Sequence, residues 1–213
     1  PVKDFLPTTQ PPAVDFVLLT QPGAPFKNVK ELIPAAKGKP GEITTATSGN
    51  GGAPHLAAAL FENASGAQLS MIPYKGTADA VNAVLAGQTL LDFDAASQVL
   101  PHIQAGTLKP LAVLGAKRSS LLPEVPSMAE AGLANYNFSN WFGLVAPAAT
   151  PKDIVAKLEA DVATALQHPD VRAKFQTMGL EPGTGGSAQL ATLIKADSEK
   201  WARTIKAANI TAQ

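Results

Sequence analysis

No cysteine occurs in the 213 residues, which excludes disulfides, thiolate nucleophiles and cysteine-held metals. Charge is scarce too. Charged residues make up 16% of the chain, and 17 Lys plus Arg balance 17 Asp plus Glu to a net charge of zero. Without a basic run to meet a phosphate backbone, nucleic acid is not expected as a partner. No apolar run nears the roughly 20 residues that a transmembrane helix needs. Histidine occurs only at positions 55, 102 and 168, a spacing that fits no metal site. His-x-x-x-His, Gly-x-Ser-x-Gly and P-loop patterns are all missing, so the residues recommend neither an enzyme nor a cofactor. The chain opens Pro1-Val2-Lys3, with no initiator Met and no signal-peptide pattern, as expected of a processed product or a fragment.

What is present is apolar and glycine-punctuated. Apolar residues reach 46%, enough to bury the core of one large domain or two modest ones. The most informative stretch is EITTATSGNGGAPHLAAALF, residues 42–61. Residues 42–47 read as a short strand, and Ser48-Gly49-Asn50-Gly51-Gly52 as a tight turn, because three glycines and an Asn favour positive φ. Pro54 suits a first helical turn and the following HLAAALF propagates a helix. A strand, a glycine turn and a helix N-terminus together present backbone N–H groups and the positive end of a helix dipole, which suit an anion.

Around that corner, β-type and α-type segments alternate. Residues 13–20 form an apolar run of strand length, and Asn28-Val-Lys-Glu31 resembles a capping box opening a helix that ends near Gly38. Strands are expected at 69–73, 89–93 and 109–115, with helices closed by Gly87 and Gly106 between them. That alternation implies parallel strands with crossover helices, hence an α/β layered domain. Residues 137–145 read as one long strand ending at Ala146-Pro147. Thr150-Pro151 should cap and start a helix with Ile154, Val155, Leu158, Val162 and Leu166 on one face. A short helix follows from Pro169, closed by Gly179. Ser187 should cap a last helix whose buried face is Leu190, Ile194, Trp201 and Ile205.

The segments PVKDF (1–5), SGNGGAPHLAAALF (48–61), IPYKGTADAV (72–81), GQTLLDFD (87–94), LPHIQAG (100–106), LAVLGAKRSSLLPEVPSMAEAGL (111–133) and NWFGLVAPAATP (140–151) carry a resemblance. The chain resembles the TctC or Bug family, the substrate-binding proteins of tripartite tricarboxylate transporters. The resemblance implies an α/β fold of the periplasmic binding protein type II class, with one complete α/β lobe and the mostly helical C-terminal part of the other. Residues 17–138 would be the complete lobe, and residues 1–16 with 139–213 the remainder of the first. Phe16–Gln21 and Ser139–Val145 would cross between them. Family members usually carry roughly 100 further N-terminal residues, the scale of half a typical domain or more. Where the family has Glu four residues after the His of the glycine turn, this chain has Ala59.

The implied function is extracytoplasmic, hence periplasmic, capture of a small organic carboxylate in an interlobe cleft, for delivery to membrane transporter subunits. The alternative is a truncated member acting as a non-transport interaction module, or as a homo-oligomer if the incomplete lobe exposes sheet edges. Thr47, Ser48, Gly49, Asn50, Gly51 and Gly52 are the expected ligand contacts, through backbone N–H groups and hydroxyls. His55 is either a packing residue or a donor that orients the turn. Tyr74 and Lys75 should stabilise their own turn, with reaching the cleft the alternative for both, and Tyr74 is counted among the candidate ligand contacts. Asp94 reads as a helix N-cap that could also face the cleft, towards a hydroxyl or amino group. Trp141 and Trp201 read as core, and His102 and His168 have no assigned role.

Overall fold

The computed structural model describes residues 2–10, 13–178, 180–181 and 185–210. Expectations for Pro1, for the prolines at 11–12 and for Gly179 as a helix stop fall outside them. The chain divides into two compact units, Pro1–Val14 with Asn140–Ala202, and Asp15–Ser139 with Arg203–Gln213.

The apolar run at 13–20 is two strands. Following β1 (Phe5–Gln10), β2 (Ala13–Val14) ends at the unit boundary, and β3 (Phe16–Thr20) begins beyond Asp15 in another sheet. β3 is buried at every position. The second unit continues with α1 (Val29–Gly38), β4 (Thr44–Thr47), α2 (Ala53–Ser65), β5 (Ser70–Pro73), α3 (Thr77–Leu85), β6 (Leu91–Ala95), α4 (Ala96–Gln104) and β7 (Lys109–Val113). The capping box forms: Asn28 accepts from the Glu31 amide, and Glu31 accepts from the Lys27 amide.

The five strands lie in the order β5-β4-β6-β3-β7. β4 runs parallel to β5 and β6, as the alternation implies. β3 is the exception, antiparallel to both neighbours, so this is a mixed sheet. It enters from a chain segment with no preceding crossover helix, and nothing forces it into the common direction. One face of the sheet packs Val17, Leu19 and Ala46 against Ala80, Val81 and Val84 of α3, and Ala96 and Val99 of α4. Aromatic pairs join Phe61 to Phe93 and to Tyr136, and Phe16 to Phe138, at centroid separations of 5.1–6.4 Å. Tyr136 also donates to the Ala57 carbonyl at 3.1 Å, which ties the segment after β7 to α2.

The other unit contains β1, β2, β8 (Asn140–Trp141), β9 (Leu144–Pro147), α5 (Lys152–Gln167), α6 (Pro169–Thr177), β10 (Leu180–Glu181), β11 (Gly185–Gly186) and α7 (Ser187–Ala207) up to Ala202. Its strands form two three-stranded sheets, β11-β1-β9 and β10-β2-β8. The single long strand expected at 137–145 is therefore two short ones in different sheets. The break falls at Phe142-Gly143, where a Cβ on Gly143 would crowd Leu190 and Trp141 at 3.1–3.2 Å. α5 starts after Pro151 with no side-chain cap, so Thr150 does not have the expected role. Its packed face holds half-buried Val155 and Val162 and buried Leu166, whereas Ile154 and Leu158 remain 45% and 42% exposed. On α7, Leu190 is buried, Ile194 and Trp201 are half-buried, and Ile205 is exposed. Asp197 lies on that face, accepts from the Trp141 indole N–H at 2.6 Å and pairs with Lys200 at 2.7 Å.

Candidate functional site

Parallel pairing of β4 with β5 sets Thr47 beside Pro73, so both strands end at one edge. The Tyr74 amide donates to the Thr47 carbonyl at 2.8 Å, holding together the two turns that leave this edge. Loops beyond the carboxyl ends of parallel strands are where open α/β sheets place ligands. Here they enclose a hollow of about 490 Å³ lined by Thr47, Gly49, Asn50, His55, Met71, Pro73, Tyr74 and Lys75. That volume suits a small molecule.

The glycine turn needs its glycines. Gly49 and Gly51 have φ of 94° and 76°, the left-handed region that a Cβ makes costly. Gly52, extended, is the N-cap of α2 and has no side chain to occupy the helix's first N–H groups, while Pro54 stands in the first turn. The helix thus keeps the unoccupied positive end that its sequence implies.

His55 holds the turn, by accepting rather than by the expected donation: its Nδ1 receives the Gly51 N–H at 3.0 Å. An accepting Nδ1 leaves the imidazole proton on Nε2, so the ring is neutral and offers one donor. Partial burial works in the same direction, lowering the histidine's pKa. The Gly51 N–H, being engaged by His55, is not an open donor.

Of the expected contacts, Thr47, Gly49, Asn50, His55 and Tyr74 come together around the hollow. Ser48, Gly51 and Gly52 belong to the same turn, but their atoms do not line it. Asp94 stands apart. It lies in β6, 2% exposed, and its Oδ1 accepts from the adjacent Ala95 amide at 2.6 Å. Nor does it cap α4, whose N-cap is Ala95 without a side-chain bond. The strand runs two residues further than its sequence suggests and carries Asp94 into the sheet. Burial raises the Asp94 pKa to about 6, against the Ala95 amide and the Thr77 side chain, which favour the charged form.

Met71 and Pro73 join the lining, together with Lys75, an exposed basic residue that takes its alternative place at the cleft. Their signal in the sequence is the pairing itself: once 44–47 and 70–73 are neighbouring parallel strands, the turn after the second must stand beside the glycine turn. Among the described residues, no group of three or more His, Cys, Asp or Glu could hold a metal ion. No described helix is long and apolar enough to cross a membrane.

The family model described as tripartite tricarboxylate transporter family receptor, TctC, matches residues 1–210. BugT from Bordetella pertussis is 34% identical over 96% of this chain. A UPF0065 protein from the tcbD-tcbE intergenic region of Pseudomonas sp. is 32% identical over 95% of it. The chain spans 63% and 61% of those two curated relatives. Among solved structures, an R. palustris protein with adipate superposes with a TM-score of 0.84 at 32% identity, covering 99% of this chain and 71% of the other. MatC from Rhodopseudomonas palustris with bound malate gives 0.80 at 26% identity, covering 94% and 69%. The periplasmic binding protein BugD gives 0.80 at 32%, covering 98% and 71%. With its family model matched over nearly the whole chain and its α/β fold shared with these binding proteins, the chain belongs to the TctC family of tripartite tricarboxylate transporter receptors.

Proposed function

We propose that this chain is a periplasmic solute-binding protein, or the greater part of one, that captures a small organic carboxylate for a membrane transporter. The observation that carries the reading is the hollow at the ends of β4 and β5, lined by Gly49 and Asn50 of the glycine turn and by His55 and Lys75, with the uncapped N-terminus of α2 following directly on that turn. All are donors or positive, which favours an anion. Relatives solved with adipate and malate support a dicarboxylate. One carboxylate would take the turn and His55, and Lys75 would meet the second. In this reading Asp15–Ser139 is the complete lobe and carries the hollow, and the remaining residues belong to a second lobe.

Thermal unfolding against a panel of mono-, di- and tricarboxylates, in carboxylate- and phosphate-free buffer, tests this. A ligand at 100 times its dissociation constant adds about 2.7 kcal/mol of stability. A shift given by dicarboxylates and removed by Gly49→Val supports the reading, and a panel that moves nothing rejects it.

A second reading rests on the Pro1–Val14 and Asn140–Ala202 unit, where Phe5, Phe142, Leu144, Val145, Ile154 and Leu158 are 42–56% exposed. So much apolar surface favours self-association. A monomeric mass in solution at micromolar concentration rejects it.

A further inference from the structure

We propose that Asp92 and Asp94 form a proton-holding pair inside the sheet, so that the unit carrying the candidate site takes up a proton on folding and the pair's contribution to its stability declines as pH rises. The two are separated by one residue on β6 and therefore project from the same face. Asp92 lies opposite Leu19 of β3 and Ala46 of β4, and Asp94 opposite Val17, all members of the apolar cluster under α3 and α4. Asp92 is 0% exposed. Among the described residues, neither of its oxygens has a hydrogen-bond partner, and nor does the Asp94 Oδ2. A buried carboxylate without a counter-charge or donor is among the most costly groups a core can hold, and it is relieved by protonation.

Relief from polar neighbours reaches Asp94, through the Ala95 amide and the Thr77 side chain, more than it reaches Asp92. The neighbouring elements present Val17, Leu19, Ala46, Ala80, Val84 and Val99 to this face. Among the described residues, the charged or titratable groups on elements packed there are Asp15 before β3, Tyr74 after β5, Asp79 on α3, His102 on α4, Lys109 on β7 and Glu124 beside Val125, each half-buried or exposed. Among the described residues, the charge acting on Asp92 is Asp94, which has the same sign. Burial first and Asp94 second therefore drive the Asp92 pKa well above the ordinary carboxylate value, with the Phe93 amide acting the other way.

The sign follows. In the unfolded chain Asp92 loses its proton near the ordinary 3.8, and in the fold it keeps it to much higher pH. Its contribution to stability is full below 3.8 and declines as pH rises towards the folded value. His55 has the opposite tendency, because its lowered pKa disfavours the fold in acid. The wild-type profile is thus a sum, and the variant-minus-wild-type difference isolates Asp92.

The experiment is thermal unfolding of the full chain and of its Asp92→Asn and Asp92→Leu variants from pH 5 to pH 8. The expected Tm difference in favour of the variants grows with pH. A difference that stays constant across the range, or turns against the variants as pH rises, overturns the proposal. Infrared spectroscopy of the wild type at pH 7 gives a readout that needs no variant to fold. A protonated-carboxyl stretch shielded from solvent exchange is expected, and its absence also overturns the proposal.

Discussion

His55 contributes to the candidate site through one atom. Nδ1 can accept the Gly51 N–H only while it carries no proton, so the turn is held in the neutral form alone. Because burial lowers its pKa, His55 stays neutral to somewhat below its ordinary 6.5, and the contact is lost as pH falls through the lowered folded value. Carboxylate affinity is accordingly expected to be flat between pH 7 and 8 and to fall in acid. His55→Ala should bind weakly throughout with that acidic limb gone, a profile that titration calorimetry at several pH values checks. At the neighbouring position, Gly51→Ala puts a Cβ where φ is 76° and should cost about 1–2 kcal/mol in denaturant unfolding. The glycine turn and His55 were legible in the sequence, because glycines, Asn and a following helix former leave few conformations open. The surroundings of Asp94 were not, because its place in β6 depends on pairing with β3, a partner more than 70 residues away.

α5 separates hydrophobic pattern from actual packing. Ile154, Val155, Leu158, Val162 and Leu166 all satisfy helical spacing, yet the packed side runs through Val155, Val162 and Leu166. Leu166→Ala is therefore expected to cost about 2–5 kcal/mol of that unit's stability, while Ile154→Ser and Leu158→Ser stay within about 0.5 kcal/mol. Denaturant titrations of the three variants make the comparison. Periodicity shows that a helix has an apolar stripe and cannot show which part of it finds a partner. The same distinction explains α7, where Asp197 shares the inward face with Leu190 because the Trp141 indole and Lys200 satisfy its carboxylate. At β3, local sequence correctly indicates a buried strand, but its direction is set by the sheet it joins.

At the scale of the molecule, the two units differ in how much apolar surface they cover. Asp15–Ser139 encloses its five-stranded sheet between helices and loop segments, whereas nearly all the exposed large apolar side chains lie in the other unit. The α/β class and the family were readable from motifs spread along the chain. The mixed sheet and the interrupted strand at Phe142-Gly143 were not, because both arise from contacts distant in sequence. The central claim is that the hollow beside the glycine turn receives a dicarboxylate whose second charge meets Lys75. Its most direct measurement is titration calorimetry of the wild type and of Lys75→Met with adipate and with hexanoate. A charge-assisted contact is worth about 1.5–3 kcal/mol, roughly a tenfold to hundredfold change in affinity. The expected result is saturable adipate binding weakened by that factor in Lys75→Met, with hexanoate bound weakly and equally by both proteins. Adipate affinity unchanged by the substitution, or no binding by the wild type, would contradict the claim.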